Sequence, residues 1–343
     1  MTRDGNLQLL LARRPVGAPV MEDFTLSPAP MPRPDLGELL VRVLFLSMDP
    51  YLRGRIGEVR LGVAPPLEIG AVVEGRGIAQ VMSASDGDGP RFAAGDIVYG
   101  ELGWQTHAIL PIERALKLDP SLAPLTAWVG LLGHPGLTAK VGIARILLVA
   151  PGETVVVSAG VGAVGQVAGP LAKLAGAARV VGVAGGAAKC RFAVEQLGYD
   201  ACIDRHAEPD LGAALARECP DGIDAYFDNT GGAVLAAVWP LLNRYGRIAL
   251  CGHVSEYNAI GKEIPGPNLG SGVGRRLRIE GFGVGDHLDL MPAWRNEAAS
   301  LLRAGKMVIQ ETIIDGFENT PQAFAAMLAG NSFGKTIVRV ADA

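Results

Sequence analysis

The run Ala159-Gly160-Val161-Gly162-Ala163-Val164-Gly165 combines residue types and spacing that let a backbone approach a phosphate closely. It follows Thr154-Val155-Val156-Val157, a β-branched stretch of strand character, and leads into an apolar segment of helical character. A strand that turns on glycines into a helix aims free N–H groups and a positive dipole end at whatever lies over the turn. The chemistry on offer is anion binding, and a pyrophosphate suits it. Glycine-rich turns also serve as plain connections, so the surrounding residues have to decide.

The next strand, Val180-Val181-Gly182-Val183-Ala184, ends in Gly185-Gly186-Ala187-Ala188-Lys189. A site for NAD usually carries an acid at this strand end to bind the ribose hydroxyls. Here there is none. Lys189 stands close by, and Arg205 follows the strand after it. A 2′-phosphate is held by charge-assisted hydrogen bonds, each worth about 1.5–3 kcal/mol. The pattern therefore predicts NADP(H) over NAD(H). Without that placement the two cations would read as solvated surface charge.

These groups need a scaffold, and the periodicity supplies one. Strand-like runs at 153–160, 178–186, 201–204, 222–232, 244–252 and 276–284 alternate with helix-like runs at 163–176, 187–198 and 208–220. That alternation predicts parallel βαβ units. Before residue 122 only strand-like runs occur, with glycines that suggest a curled sheet. The tail reads as helix (287–304), strand, helix and strand. At 343 residues the chain has room for about two domains. The fold class is α/β: a β-rich domain plus a doubly wound parallel-sheet domain.

Composition excludes several functions. Thirty-one Lys and Arg against 35 Asp and Glu leave a net charge of −4, so no basic field is available for nucleic acid. Residues 154–172 carry no charge and approach membrane-spanning length. Their glycines and Pro170 make strand, turn and helix the better reading. Four cysteines, Cys190, Cys202, Cys219 and Cys251, have no zinc-knuckle spacing and are too few for a disulfide scaffold. They read as thiols in a reducing cytoplasm. No cysteine precedes residue 190, and His107 and His134 alone cannot form a zinc site there, so no metal is expected. No G-x-S-x-G elbow and no P-loop are present.

Several blocks run in order along the chain. They are Met48-Asp49-Pro50-Tyr51-Leu52-Arg53-Gly54-Arg55, Gly133-His134-Pro135-Gly136-Leu137-Thr138-Ala139, PGETVVVSAGVGAVG (151–165) and VVGVAGGAAKCRF (180–192). Asp224 to Gly232, Cys251 to Asn258 and Gly330-Asn331-Ser332-Phe333-Gly334-Lys335 continue the series. With them the chain resembles the zinc-independent medium-chain dehydrogenase/reductase superfamily. It is most similar to the prostaglandin reductase and leukotriene hydroxydehydrogenase group, with its bacterial NADPH-dependent curcumin or enone reductase relatives.

The resemblance implies a GroES-like catalytic domain (1–121 and 305–343) interrupted by a Rossmann domain (122–304). It implies cofactor contacts at Gly162, Ala163, Val164, Gly165, Lys189, Arg205 and Asn229. Further contacts are implied at Cys251, Gly252, His253, Val254, Ser255, Tyr257, Phe282, Gly283, Val284 and Asn331. Tyr51, Glu101 and Trp104 are the implied substrate-cleft residues. Four positions depart from the family pattern: His134 replaces a common methionine, Lys140 a common aromatic, Thr230 the usual valine, and Arg205 a frequent tyrosine, where a cation still suits a 2′-phosphate. The first two bear on substrate range.

The implied chemistry is conjugate reduction of an enone or enal, with hydride delivered to the β-carbon. Charge then gathers on the carbonyl oxygen and needs a hydrogen-bond donor. Tyr257 is the candidate, by resemblance and because a phenol can donate and relay a proton; packing against the cofactor is its other reading. Asp224 and Asp228 are expected to act as turn or capping groups, and Arg275, Arg276 and Arg278 as a solvated edge. The partner expected is a small apolar carbonyl compound, with no nucleic acid and no membrane, and strand 276–282 is a candidate for pairing in a homodimer. A quinone oxidoreductase and a non-catalytic NADPH-binding protein are the competing readings.

Overall fold

The computed structural model describes residues 5–58, 64–85, 91–259 and 266–342. The chain forms two compact units, Gly130–Gln310 and Met1–Val129 with Glu311–Ala343. The line drawn from sequence, 122–304, begins and ends several residues earlier. It follows the first helical signal, whereas the helical turn Leu125–Val129 belongs to the β-rich unit.

In the unit Gly130–Gln310, six strands form one parallel sheet: β1 (Thr154–Ser158), β2 (Arg179–Ala184), β3 (Ala201–Asp204), β4 (Ile223–Asp228), β5 (Leu242–Leu250) and β6 (Arg278–Gly281). Their order is β3-β2-β1-β4-β5-β6. Every residue of β1 is buried, as a central strand covered on both faces requires. Helices α1 (Gly165–Leu174), α2 (Ala187–Glu195), α3 (Leu211–Glu218) and α4 (Gly232–Val238) form the crossovers. Val156, Val181, Ile203, Leu215, Tyr226 and Trp239 belong to one apolar core cluster on the sheet. Successive strands are added outward in opposite directions on the two sides of the β1/β4 junction, the place where open α/β sheets bind ligands at the strands' carboxyl ends. The uncharged stretch 154–172 is thus β1, a turn and most of α1. Among the described residues no helix is long and apolar enough to cross a membrane.

At the edge, β6 is shorter than the nine-residue run expected there, and all four of its residues are exposed. The basic cluster before it is not simply solvated. The Arg275 guanidinium donates to the carbonyls of Trp239 (2.6 Å) and Leu242 (3.3 Å), and Arg278 donates to the carbonyl of Ile146.

The β-rich unit is built on a seven-stranded sheet. Lys335–Arg339 lies between Glu311–Asp315, which it pairs in parallel, and Glu38–Ser47, which it pairs antiparallel. Arg76–Ser85, Ile97–Glu101 and Leu116–Lys117 continue the sheet, and His107–Pro111 also pairs with Glu38–Ser47. Register shifts between Glu38–Ser47 and Arg76–Ser85 bend the sheet as bulges do. A Cβ at Gly77 would stand 2.2 Å from the Phe45 carbonyl oxygen, so only glycine permits this close approach. The apolar residues Leu7–Leu11 are part of strand Gly5–Leu11, which pairs with Phe24–Pro30.

Candidate functional site

The glycine turn sits between β1 and α1. Ala159 takes φ +48°, and the Gly162 N–H donates back to its carbonyl at 2.8 Å. A Cβ on Gly165 would meet that same oxygen at 2.2 Å and Gly160 Cα at 2.8 Å. The helix can therefore start this close to the strand only on glycine. From beneath, the buried Tyr199 hydroxyl lies 2.9 Å from the Gly165 carbonyl oxygen and 3.2 Å from that of Gly160. The N–H groups of Ala163 and Val164 make no hydrogen bond among the described residues. They stand at the N-terminus of α1, where donors and dipole favour an anion.

The second turn, between β2 and α2, is held by a carboxylate. Asp204 Oδ1, at the end of β3, accepts from the backbone N–H of Gly186 (2.7 Å) and of His206 (3.0 Å). Those bonds hold its carboxyl below the usual range. Gly186 takes φ +99°, a conformation that favours glycine. Lys189 lies in the first turn of α2 and Arg205 just beyond β3. The Lys189 ammonium is pushed below its ordinary pKa, first by burial and then by repulsion from Arg205. Two cations that repel each other here form a place where an anion relieves both.

At the carboxyl end of β4, Asp228 is fully buried and organises the next loop. Its Oδ1 accepts from Tyr226 Oη (2.8 Å), Thr230 N (3.0 Å) and Gly231 N (2.8 Å). It therefore caps a turn, as expected. Asp224 likewise accepts from the N–H of Thr154 at 2.8 Å. Asn229 is tied to the end of β1: its Nδ2 donates to the Ser158 carbonyl (2.7 Å) and its N–H to Ser158 Oγ (2.8 Å).

The segment after β5 lies against this loop. Cys251 and Gly252 N–H donate to the Asp228 carbonyl at 2.9 and 3.1 Å. Val254 N–H reaches the Asn229 carbonyl at 3.5 Å, and Ser255 Oγ donates to the Thr230 carbonyl at 2.6 Å. His253 Nδ1 is 3.2 Å from Glu256 Oε2, whose partner oxygen accepts from Gly232 N at 2.8 Å. Tyr257 is half-buried, and a Cβ on Gly252 would sit 3.5 Å from its hydroxyl. Burial raises the Tyr257 pKa, with Cys251 and Glu256 adding to the shift against a bond from His253 N–H. The phenol therefore stays protonated at neutral pH and can donate.

Gly162 to Gly165, Lys189, Arg205, Asn229 and residues 251–257 thus lie on turns at the carboxyl ends of the parallel strands. Phe282 also follows a strand end, its N–H 3.4 Å from the Leu250 carbonyl and its ring edge-on to Phe227 at 6.2 Å. Gly283 and Val284 follow directly. Asn331 belongs to the β-rich unit, after helix Thr320–Leu328, and its N–H donates to the Ala326 carbonyl at 2.9 Å.

Of the three implied substrate residues, all in the β-rich unit, Trp104 is a correction. It is 0% exposed, packed between Phe24 (5.4 Å) and Phe324 (5.6 Å). An indole sealed in an aromatic core cannot meet a substrate. Tyr51 and Glu101 are both exposed. Arg76 connects them: its guanidinium lies 5.5 Å from the Tyr51 ring centroid and 3.3 Å from Glu101 Oε1. The sequence reading missed Arg76, although a charge inside the strand-like AVVEGRGIAQVM was a signal. It also missed Tyr199 and Glu256, whose roles depend on distant backbone. Lys140 is paired with Glu297 at 2.8 Å, on helix Met291–Arg303. That pairing gives its departure from the family pattern a local, structural reason.

With this geometry in hand, comparison with known proteins is consistent from end to end. Residues 7–118 match the family described as N-terminal domain of oxidoreductase, and residues 163–302 the family described as zinc-binding dehydrogenase. The chain is 41% identical to the NADPH-dependent curcumin reductase of Escherichia coli, over 98% of this chain and 97% of that one. It is 38% identical to the NADP-dependent 2-alkenal reductase of Nicotiana tabacum, over 88% and 87%. The crystal structure of CurA from Vibrio vulnificus in complex with NADPH superposes with a TM-score of 0.91 at 38% identity, covering 98% of this chain and 100% of that one. A parallel sheet ordered for dinucleotide binding, a β-rich unit closed by the tail and full-length likeness to these reductases agree: the chain belongs to the zinc-independent branch of the medium-chain dehydrogenase/reductase superfamily.

Proposed function

We propose that this protein uses NADPH to reduce the carbon–carbon double bond of α,β-unsaturated ketones and aldehydes. The observation that carries the reading is the placement of Lys189, in the first turn of α2, and Arg205, just beyond β3, in the same sheet as a glycine turn whose Ala163 and Val164 N–H groups make no hydrogen bond among the described residues. A pyrophosphate fits the turn, and a 2′-phosphate fits the cation pair. Asp204, the nearby acid, has its Oδ1 occupied by backbone N–H groups of Gly186 and His206.

Bound NADPH supplies the hydride that adds to the β-carbon. The residues of this chain handle charge and orientation. Ala163 and Val164 N–H groups hold the anionic bridge of the cofactor, and Lys189 with Arg205 select its 2′-phosphate. Asn229 and the 251–255 segment, fixed on Asp228, shape the nicotinamide side. The Tyr257 hydroxyl donates to the carbonyl oxygen as it becomes an enolate oxygen, and it relays a proton toward the α-carbon. Its raised pKa keeps that proton in place until needed. Tyr51 and Glu101 contribute to substrate recognition, with Arg76 holding both.

The substrate is a small apolar carbonyl compound. The exposed edge strand β6, with Ile279 40% exposed, supports pairing of two copies in a homodimer. Four cysteines without a disulfide support a cytoplasmic setting. The test is cofactor oxidation, followed in the nicotinamide absorbance band, with enones, enals and quinones, and NADH as control. Enone-dependent oxidation of NADPH is expected; turnover with quinones alone would overturn the reading.

A further inference from the structure

The geometry points to a reversible dithiol switch: Cys190 and Cys202 form a disulfide when a hydroperoxide reaches them, and the bridge weakens binding at the adjoining Lys189–Arg205 anion site. Cys202 Sγ lies 3.1 Å from Cys190 Sγ and donates to it. A disulfide needs about 2.05 Å, so the sulfurs must approach by about one ångström.

The fold brings the pair together. Cys190 lies in α2 and Cys202 in β3, where it pairs with Gly182 of β2. A Cβ on Gly182 would stand 3.2 Å from Cys202 Sγ, so the missing side chain leaves room for that sulfur. Both cysteines are only partly buried. They line one open depression with Ala187, Arg191, Glu195 and Asp204, and so an oxidant in solvent has access.

Selectivity has a physical basis. The Cys202 S–H bond and the Lys189 charge hold the Cys190 thiol below its ordinary pKa, against burial and Asp204. Burial pushes Cys219 up to about 11 and Cys251 up to about 12. A thiolate is the nucleophile, so Cys190 reacts first. Its sulfur attacks the peroxide, the O–O bond breaks, and a sulfenic acid and one water or alcohol form. The Cys202 sulfur then attacks the Cys190 sulfur. The S–O bond breaks, water leaves with the Cys202 proton, and the S–S bond forms. Two thiols are oxidised and one peroxide is reduced.

The bridge acts where the anion binds. Lys189 precedes Cys190 directly, and Arg205 follows Cys202 closely. Drawing the sulfurs together shifts the first turn of α2 relative to the end of β3, which are the two elements that carry these cations. This consequence rests on the NADPH reading above; formation of the bridge does not.

The experiment treats the full-length reduced protein with hydrogen peroxide, then reads intact mass, a non-reducing peptide digest and NADPH affinity. The expected result is loss of two hydrogens, one new cross-linked peptide joining Cys190 to Cys202, and a Kd for NADPH raised about tenfold, the equivalent of one charge-assisted contact. A reductant restores both, and bound NADPH slows the oxidation. In Cys202→Ser the sulfenic acid on Cys190 persists and is trapped by a dione reagent. Oxidation that falls first on Cys219 or Cys251, or leaves both thiols of the pair unlinked, overturns the switch. A bridge with unchanged NADPH affinity overturns its coupling to the cofactor. Reduced protein that binds no NADPH refutes the cofactor reading, while the mass and digest still report on the bridge.

Discussion

The Lys335 ammonium donates to Asp49 Oδ1 at 2.7 Å and to the Met48 carbonyl at 2.7 Å, joining residues 286 apart in the chain. Lys335 opens the last strand, and Asp49 opens the loop that carries Tyr51. The Lys335 side chain is 2% exposed and that of Asp49 16%. The pair therefore fastens the tail of the chain to a segment proposed to meet substrate.

Removing one partner leaves a charge buried and unpaired. Lys335→Met should lower the stability of the β-rich unit by about 3–5 kcal/mol, and adding Asp49→Asn should restore part of the loss. Denaturant midpoints of the two variants against the parent test this. Acid should act on the same pair. Burial would raise the Asp49 pKa, but the Lys335 charge and the bonds from Lys335 and Ser47 outweigh it and lower the value from 3.8. Its stabilising contribution is thus complete above pH 3.8 and lost as pH falls through the lowered folded value. Asp49→Asn should flatten the stability profile in that acid window; an unchanged profile would assign the acid sensitivity elsewhere.

The Lys189 and Arg205 charges are predicted to decide between the two nicotinamide cofactors. Each charge-assisted bond to a 2′-phosphate contributes about 1.5–3 kcal/mol, so Lys189→Ala with Arg205→Ala should raise the Kd for NADPH by at least about a hundredfold. NADH lacks that phosphate, and its affinity should change by less than about threefold. Titrations with both cofactors suffice. Equal losses would mean that the double substitution had damaged the turn and not the phosphate site.

Tyr257→Phe removes one hydroxyl and keeps the ring. If that hydroxyl stabilises the enolate oxygen, kcat should fall by about a hundredfold while the NADPH Kd stays within about twofold. Stopped-flow oxidation of bound NADPH by an enone separates the two quantities. Unchanged turnover would make Tyr257 a packing residue of the 251–257 segment.

Sequence reading succeeded where structure depends on local pattern. Val155 to Gly165 form strand, glycine turn and helix because β-branched residues, glycines and small apolar residues each favour those states locally, and the alternation after residue 150 sets the parallel sheet. The residues proposed for the site on that sheet lie at or just after strand ends, so their positions follow once the strands are known. What escaped depends on partners far away in the chain. Trp104 reads as a cleft aromatic beside Glu101 until Phe24 and Phe324 are seen to enclose it. Arg76 lies in a strand-like run, and its link to Tyr51 and Glu101 exists only in three dimensions. Cys190 and Cys202 look unrelated at a spacing of 12 and are adjacent because α2 crosses back over β3. The edge strand is shorter than the run 276–284 because only Arg278 to Gly281 pair with β5.

Tyr199 offers the sharpest test of how the glycine turn is supported. Its ring fills the space that glycine leaves at position 169, where a Cβ would come within 2.3 Å of ring carbons. Its hydroxyl lies within hydrogen-bond reach of two carbonyls of the turn, Gly160 at 3.2 Å and Gly165 at 2.9 Å. Tyr199→Phe keeps the packing and removes the donor. It should cost about 1–3 kcal/mol, because buried acceptors lose their partner. NADPH should bind several-fold more weakly, since the N–H groups of Ala163 and Val164 ride on the loosened turn, whereas kcat at saturating cofactor should hold. Gly169→Ala should be worse than Tyr199→Phe on stability, because the ring has no space to yield, and the double variant Gly169→Ala with Tyr199→Leu should recover folding. A Tyr199→Phe protein with full stability and parental NADPH affinity would show that α1 and β1 hold the turn without help from below.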